Sequence, residues 1–309
     1  MEDWSTGVLG WNHQSSITPI FQLDKLTSMR IIEHISNMRE WSDSERRQGR
    51  RIVFVPTMGF LHEGHLSLAR YARTRGDRVV VSIFVNPTQF GPNEDYKSYP
   101  RDFARDRKML EEEKVDILFH PTVTEIYPAD SQTHVAVEKL SMPLCGAVRP
   151  GHFRGVATVV AKLLNIVRPH VAIFGEKDYQ QLQVIRRMVR DLSMGVEIVG
   201  HPIVREVDGL AMSSRNSYLT TEERQAAVCL SRALCKAERL FKRGETAAAA
   251  IIDLVMTELG KEPLAGVEYA KVCDAESLDE IDRINDPALL ALAVRIGKTR
   301  LIDNRVLKH

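Results

Sequence analysis

Between residues 52 and 199 the chain alternates short apolar runs with amphipathic stretches, a pattern that predicts a parallel β-sheet covered by helices. The apolar runs are rich in Val, Ile and Phe and lack polar alternation, as expected for strands buried on both faces. They lie at residues 52–55, 79–85, 115–119, 171–174 and 196–199. The sequence therefore predicts an α/β fold with a doubly wound parallel sheet of five strands.

The stretches between these strands carry apolar residues at helical spacing. They lie at residues 64–75, 101–113, 155–167 and 178–192, and in the last of them Leu182, Ile185, Val189 and Leu192 fall along one side. We expect these four stretches to be the helices that connect successive parallel strands.

The pattern changes after about residue 204. Thr220 and Glu223 form a capping box that opens a helix, Gly244 is a suitable stop, and an Ala-rich helix follows as far as Gly260. Short β-type runs separated by turn residues come next, at residues 267–273, 291–296 and 300–302. We predict a main domain over residues 29–204 and a smaller α+β lid domain over 205–309, with the boundary at residues 204–209.

Composition and charge exclude several classes of protein. The 309 residues carry 42 Lys plus Arg against 41 Asp plus Glu, a net charge of +1, so no basic excess favours nucleic acid. No run approaches the roughly 18–20 apolar residues of a membrane span. The four cysteines include no C-x-x-C pair, which predicts neither a disulfide framework nor a zinc ribbon and suits the cytoplasm. Residues 1–28 have neither signal-peptide nor transit-peptide character.

The segment 56–65, P-T-M-G-F-L-H-E-G-H, directly follows the first predicted strand and opens the first helix. Ligands of open α/β sheets bind at the carboxyl ends of strands, and a helix N-terminus offers free N–H groups to a phosphate. His62 and His65 can both donate to phosphate oxygens there, with Gly64 permitting close approach. A metal site or chance surface placement are the alternatives for two histidines at this spacing.

Two further polar clusters are candidates for the same cleft. Residues 174–181 again lie at a strand end and helix start, where Asp178 can cap the helix, Gln181 faces the cleft and Lys177 reaches a phosphate. Residues 212–216 combine hydroxyls with an arginine, which suits a polyphosphate. The alternatives are a capped helix with a solvated lysine and an ordinary polar loop.

Five motifs, taken in order, resemble the pantothenate synthetase family, the pantoate:beta-alanine ligases of the H-I-G-H nucleotidylyl-transferase superfamily. They are P-T-M-G-F-L-H-E-G-H at 56–65, F-V-N-P-T-Q-F at 84–90, Y-P-R-D at 99–102, G-E-K-D-Y-Q-Q-L at 175–182 and G-L-A-M-S-S-R-N at 209–216. The resemblance runs from about Met29 to Asn304 and implies a Rossmann-like fold of the nucleotidylyl-transferase type.

The resemblance also implies a reaction in two steps. The carboxylate of pantoate attacks the α-phosphorus of ATP and releases pyrophosphate, and the amine of beta-alanine then attacks the pantoyl adenylate and releases AMP. Such chemistry needs positioned donors and cations rather than a covalent nucleophile. His62, His65, Lys177 and Arg215 match the family's catalytic contacts to the phosphates. Mg²⁺ on the β and γ phosphates is also implied, with Asp106 as a candidate ligand through water.

The remaining site residues come from the same resemblance. Gln89 and Gln181 bind the hydroxyls and carboxylate of pantoate, Met58 and Phe174 accept its gem-dimethyl group, and Arg149 borders the triphosphate and the entry of beta-alanine. The implied contacts to ATP are Pro56, Thr57, Met58, His62, Gly64, His65, Gly175, Glu176, Lys177, Asp178, Val204, Met212, Ser213, Ser214 and Arg215, with the two serines in a flexible loop that closes over the nucleotide.

Residues 1–28 have no counterpart in the family. They are expected to be a peripheral or disordered extension, or to reflect translation upstream of Met29, and a docking strand built on Trp4, Trp11 and Phe21 is the functional alternative. Family members are generally homodimers.

The rival functions are another nucleotidylyl transferase, a nucleotide-binding module without turnover, and an RNA-binding relative of tRNA synthetases. A nucleotidylyl transferase with a phosphorylated substrate would need basic residues where this chain has the amides of Gln89 and Gln181, which argues against that function. The near-zero net charge argues against RNA binding.

Overall fold

The structure is a computed structural model that describes residues 29–92, 94–285 and 287–309. The expectations for residues 1–28, including the docking strand, lie outside the described residues.

Six parallel strands form the N-terminal sheet in the order β1-β4-β3-β2-β5-β6. The strands are β1 (Arg30–Ile32), β2 (Ile52–Thr57), β3 (Arg78–Ile83), β4 (Ile117–Phe119), β5 (Val171–Gly175) and β6 (Glu197–His201). After β2, the chain adds β3 and β4 in turn on one side of β2. It then crosses to the other side of β2, where it forms β5 and β6. The strand order therefore reverses between β2 and β5, which is the position where open α/β sheets bind their ligands.

Helices cover both faces of this sheet, which confirms the doubly wound α/β class. They are α1 (Ile35–Arg47), α2 (Glu63–Arg73), α3 (Phe103–Glu112), α4 (Val123–Ile126), α5 (Cys145–Val148), α6 (His152–Val167) and α7 (Tyr179–Asp191). Phe54 and Phe119 point into the core shared with α1, α6 and α7. Val53 and Val55, one position away along the strand, point into the core shared with α2 and α3. Burial on both faces explains why β2, β3, β4 and β5 carry no polar alternation. The prediction of a fully buried strand is wrong for β6, which is partly exposed because it lies at the edge of the sheet.

The C-terminal unit packs three helices on a three-stranded antiparallel sheet. The helices are α8 (Thr221–Ala226), α9 (Val228–Lys242) and α10 (Ala248–Leu259), and the strands are β7 (Ala265–Asp274), β8 (Ala288–Ile296) and β9 (Thr299–Leu307). In β8, Leu290 and Leu292 face these helices, whereas Leu289 and Ala291 face the other side, in a cluster with Leu144 before α5. The sheet therefore joins its own helices to the N-terminal unit.

Each predicted element is found in the structure, but the sheet has six strands rather than the predicted five, β8 and β9 are longer than the predicted runs, and the short helices α4 and α5 were not predicted. β1 and α1 were not predicted, because three strand residues are too short to stand out and α1 is polar apart from a few positions such as Met38. The predicted helix from Thr220 to Gly244 is divided at Ala227 into α8 and α9. Its ends are confirmed, since Thr220 makes the capping box and Gly244 has a φ of +101°.

Among the residues that the structure describes, no helix combines the length and apolar character needed to cross a membrane.

Candidate active site

A cavity of about 230 Å³ opens at the carboxyl ends of β2 and β5, where the strand order reverses. It brings together nearly all the residues that the sequence indicated: Pro56, Thr57, Met58, His62, Gly64, His65, Gln89, Arg149, Phe174, Gly175, Lys177, Asp178, Gln181, Val204, Met212, Ser213, Ser214 and Arg215. Five chain segments that are separated in sequence therefore converge on one site. The predicted residues Glu176 and Asp106 do not line it.

The two histidines stack at the start of α2, with ring centroids 4.0 Å apart. Nδ1 of His65 accepts from the backbone N–H of His62 at 3.4 Å, which leaves the proton of the neutral His65 ring on Nε2. Nδ1 of His62 is buried and has no hydrogen-bond partner among the described residues. Gly64 leaves room for this ring, because a Cβ at Gly64 would lie 2.9 Å from Nδ1 of His62. The unpartnered nitrogen suits a site that receives a polar ligand.

Both imidazoles are uncharged near neutral pH. Burial, followed by the charge of Lys177, lowers the pKa of His62 to about 4. Burial, the neighbouring His62 and Lys177 also hold the pKa of His65 well below its usual range. The histidines therefore offer N–H groups rather than positive charge in the unliganded site, and Lys177 lies near enough to act on both rings.

Lys177 lies in a short 3-10 helix, Glu176–Asp178, between β5 and α7. Lys177 and Gln181 both line the cavity, so the prediction that Gln181 faces the cleft is confirmed. The predicted cap by Asp178 is wrong: Asp178 holds the N-cap position of α7, but its exposed side chain makes no capping hydrogen bond. Its carboxylate remains free for a ligand in the cavity that it lines. Glu176 lies behind this turn, where it would contact any side chain at Gly200.

Arg215 lies at the cavity rim in a bidentate ion pair with Asp95, with both N···O distances 2.9 Å. Its guanidinium also lies over the ring of Tyr99, 5.7 Å from the centroid. Ser214 donates to the carbonyl of Phe60 at 3.2 Å, which ties the 212–216 loop to the loop before α2. The predicted cluster at residues 212–216 is thus held against the cluster at residues 56–65. The guanidinium of Arg215 is oriented by the carboxylate of Asp95.

Arg149 makes a second bidentate pair at the rim. Its Nε and Nη2 lie 2.7 and 2.6 Å from the two oxygens of Glu94. Its Nη1 lies 3.0 Å from Nε2 of His152, and Nδ1 of His152 lies 2.8 Å from the carbonyl oxygen of Gln89. Because arginine only donates, His152 accepts on Nε2 and donates from Nδ1. Burial and the adjacent Arg149 lower the pKa of His152 to about 4, which favours this neutral form.

A pocket lined by the amides of Gln89 and Gln181, called the amide pocket below, lies beside the groups predicted to contact phosphate. Asn86, which is 1% exposed, donates to Oε1 of Gln89 and to the carbonyl of Gly155, both at 3.1 Å. Nε2 of Gln89 in turn lies 3.0 Å from Sδ of Met58. The Gln89 amide is thus held with a fixed orientation at the cavity wall. Apolar residues of α6 line the same cavity, with Phe174 from β5. The pocket suits a small ligand that has both polar and branched apolar groups.

The predicted role of Asp106 as a magnesium ligand is not supported by the geometry. Its two carboxylate oxygens accept from the backbone N–H groups of Phe60 and Leu61, each at 2.7 Å. The side chain is buried away from the cavity, and burial raises its pKa against the effect of these two donors. Asp106 therefore anchors the loop that carries His62. Within the described part of the chain, no cluster of three or more His, Cys, Asp or Glu side chains could hold a metal ion.

The sequence did not single out several residues that shape the site. Asn86 lies inside a motif and precedes a proline after a strand, a signal that marks a turn but gives no partner. His152 follows Gly151 and begins α6, and it carries no motif of its own. Glu94 and Asp95 gave no signal, because their arginine partners lie 55 and 120 residues away.

The chain is similar in sequence to known ligases. Residues 30–306 match the family model described as Pantoate-beta-alanine ligase. The pantothenate synthetase of Geobacter sulfurreducens is 57% identical over 279 residues, which cover 90% of this chain and 99% of the relative. That of Thermotoga neapolitana is also 57% identical over 279 residues, covering 90% of this chain and 100% of the relative.

Solved structures agree with the sequence matches. The crystal structure of pantothenate synthetase from Thermus thermophilus superimposes with a TM-score of 0.87 at 46% identity, covering 91% of this chain and 100% of that one. The pantoate-beta-alanine ligase of Francisella tularensis, complexed with beta-gamma ATP and beta-alanine, gives a TM-score of 0.73 at 35% identity, covering 90% and 97%.

Proposed function

The chain belongs to the pantoate-beta-alanine ligase family, and from this premise we propose how its cavity joins pantoate to beta-alanine at the expense of ATP. The family decides between the alternatives that the sequence left open, because it is a family of ligases rather than of regulatory or RNA-binding proteins. The proposal concerns the order of the chemical steps and the role of each side chain.

In the first step a carboxylate oxygen of pantoate attacks the α-phosphorus of ATP, and the bond from that phosphorus to the pyrophosphate oxygen breaks. In the second step the amine of beta-alanine attacks the acyl carbon of the pantoyl adenylate. The bond from that carbon to the bridging oxygen breaks, AMP leaves with the oxygen, and the amine loses a proton as the amide of pantothenate forms. The residues of this chain bind and orient the reactants in both steps.

One observation carries the proposal: His62, His65, Lys177 and Arg215, from three separate segments, line one cavity beside Gln89 and Gln181. The neutral imidazoles donate N–H groups to the phosphates, and the two cations balance the charge that develops as pyrophosphate leaves. Arg215 must exchange the carboxylate of Asp95 for phosphate oxygens when ATP binds. Both partners are anionic, so the guanidinium stays paired throughout.

The amide pocket beside these groups is proposed to hold pantoate. Gln89, oriented by Asn86, and Gln181 bind its hydroxyls and carboxylate, while Met58 and Phe174 contact the gem-dimethyl group. This placement puts the attacking carboxylate between the amides and the histidines.

The nucleotide is proposed to lie across the ends of β2 and β5. Gly175, Asp178, Val204 and Met212 surround the adenosine; Pro56, Thr57, Met58 and Gly64 line the side of the loop before α2; and Ser213 and Ser214 cover the phosphates. Arg149, at the rim with Glu94, is proposed to border the triphosphate and the path of beta-alanine. Glu176, which does not line the cavity, is assigned no contact with ATP.

We further propose that Mg²⁺ enters with ATP, bound by the β and γ phosphates and by water.

The main domain is proposed to span residues 29–204 and the lid domain residues 205–309, which would shield the labile adenylate from water. A homodimer in the cytoplasm is proposed by analogy with the family.

The direct test is to incubate the full chain with ATP, Mg²⁺ and pantoate, with and without beta-alanine. Without beta-alanine we expect pyrophosphate to appear at most in proportion to the enzyme, because the adenylate stays bound. With beta-alanine, AMP and pantothenate should form continuously in equal amounts. Formation of ADP and phosphate, or steady pyrophosphate release without pantoate, would contradict the proposed reaction.

A further inference from the structure

Asn304 connects the C-terminal sheet to the turn that carries Lys177. This residue lies in β9 and is 5% exposed, and its Nδ2 donates to the carbonyl oxygens of Glu176 and Lys177 at 3.0 and 2.9 Å. Both hydrogens of one amide are thus used on two consecutive carbonyls. We propose that Asn304 is a positioning residue that fixes the backbone from which Lys177 reaches the phosphates.

The need for such a contact follows from the chemistry of lysine. Its ammonium is a point charge at the end of a flexible chain, so its position depends on how firmly its backbone is held. The turn Glu176–Asp178 is a short 3-10 helix whose N-cap is Gly175, which has no side chain, and Asp178 makes no capping hydrogen bond to α7, which follows. Asn304 provides that support from another part of the chain.

The preceding residue, Asp303, holds a second wall of the cavity. Its carboxylate is almost fully buried and pairs with Nη1 and Nη2 of Arg205 at 2.7 and 2.9 Å. Arg205 follows Val204, whose carbonyl accepts from the backbone N–H of Met212 at 3.0 Å. Two consecutive residues of β9 therefore reach two different walls of the nucleotide site. Asn304 gives the clearer test, because replacing this neutral residue leaves no buried charge without a partner, whereas replacing Asp303 would leave Arg205 unpaired.

The alternative is that Asn304 only attaches the C-terminal unit to the rest of the molecule. Arg300 offers a matched control, because it lies in the same strand and contacts Cys145 of α5 from Nη1 and Nη2 at 3.7 and 3.6 Å. Neither Arg300 nor Cys145 lines the main cavity. Replacing Arg300 removes a contact between the two units, together with its ion pair to Glu268 in β7, without touching the Lys177 turn.

The experiment measures steady-state pyrophosphate release from ATP, pantoate and beta-alanine for Asn304→Ala, Arg300→Ala, Lys177→Ala and the double variant Asn304→Ala/Lys177→Ala. For Asn304→Ala we expect kcat to fall by about 10–100-fold, with KM for ATP changed by less than about threefold, because a misplaced group costs mainly transition-state stabilisation. Arg300→Ala should stay within about threefold of the parent in kcat. Once Lys177 is absent, removing Asn304 should cost less than about twofold more.

The variant Asn304→Asp tests whether a loss of activity in Asn304→Ala comes from the missing hydrogen bonds or only from the missing side-chain volume. The carboxylate has the size of the amide but cannot donate, so at pH 8 we expect at least the loss seen with alanine. Burial raises the pKa of such a carboxyl, and the protonated acid regains one donor, so its activity relative to the parent should rise as the pH is lowered towards 5.5.

The inference rests on the role proposed for Lys177, and the outcomes separate the two. Normal turnover of Lys177→Ala would remove Lys177 from the proposed function. A severe defect in Lys177→Ala with near-normal turnover of either Asn304 variant would overturn the inference alone. Equal losses on removing Asn304 with and without Lys177 would also overturn it, because the effect would then not pass through Lys177.

Discussion

Replacing His65 or Lys177 by alanine is expected to slow pyrophosphate release from ATP and pantoate by about 10²–10³-fold each. The physical reason is that both groups are proposed to contact the phosphates where charge develops in the transition state. Both side chains line that cavity, and Lys177 acts on the pKa of His65. The measurement is single-turnover formation of pyrophosphate with enzyme in excess over ATP.

Exposed residues of the same types serve as controls. Lys108→Ala on α3 and His134→Ala in the loop after α4 lie outside the cavity and should leave the rate within about twofold of the parent. The melting temperatures of all four variants should be close to that of the parent. Near-normal pyrophosphate formation by both His65→Ala and Lys177→Ala would remove the histidine and lysine from the mechanism.

Gly155→Ala is expected to raise KM for pantoate by about 10²-fold and to reduce stability by about 1–3 kcal/mol. A Cβ at this position would lie 2.7 Å from the backbone nitrogen of Gln89 and still closer to the carbonyl of Thr88. These are backbone atoms that cannot rotate away, so α6 or the Gln89 turn must move. Either movement separates Asn86 from the Gly155 carbonyl and disturbs the amide pocket. Initial rates at varied pantoate and at varied ATP, together with urea unfolding, measure both effects.

Gly195→Ala is the matched control, because a Cβ there meets nothing within 4 Å and the backbone needs no positive φ. It should leave both KM values and the unfolding midpoint close to those of the parent. An unchanged KM for pantoate in a folded Gly155→Ala variant would show that the amide pocket does not hold pantoate.

The sequence predicts the fold well where burial is complete and the contacts are local. β2 is apolar because helices cover both of its faces, and the loop after it could be assigned to the ligand site because strand ends collect ligands. The capping box at Thr220 is a contact between residues three apart, so it is readable directly. These features need no knowledge of how distant segments pack.

The features that the sequence did not predict depend on contacts between distant segments. Asp106 has the residue type of a magnesium ligand, but its oxygens are used by the loop 45 residues before it. Asn304 reaches carbonyls about 127 residues earlier, and no local pattern marks an asparagine in a strand for that purpose. Residue type indicated which chemistry was available, whereas packing determined which side chains remained free to take part.

The most direct test of the proposed reaction uses pantoate labelled with ¹⁸O in both carboxylate oxygens. If that carboxylate attacks the α-phosphorus, the bridging oxygen leaves with AMP when beta-alanine attacks the acyl carbon. Mass spectrometry of the products should then find one labelled oxygen in AMP, one in the amide carbonyl of pantothenate, and none in pyrophosphate. Unlabelled AMP, with ¹⁸O in pyrophosphate or phosphate, would contradict an adenylate formed in this cavity.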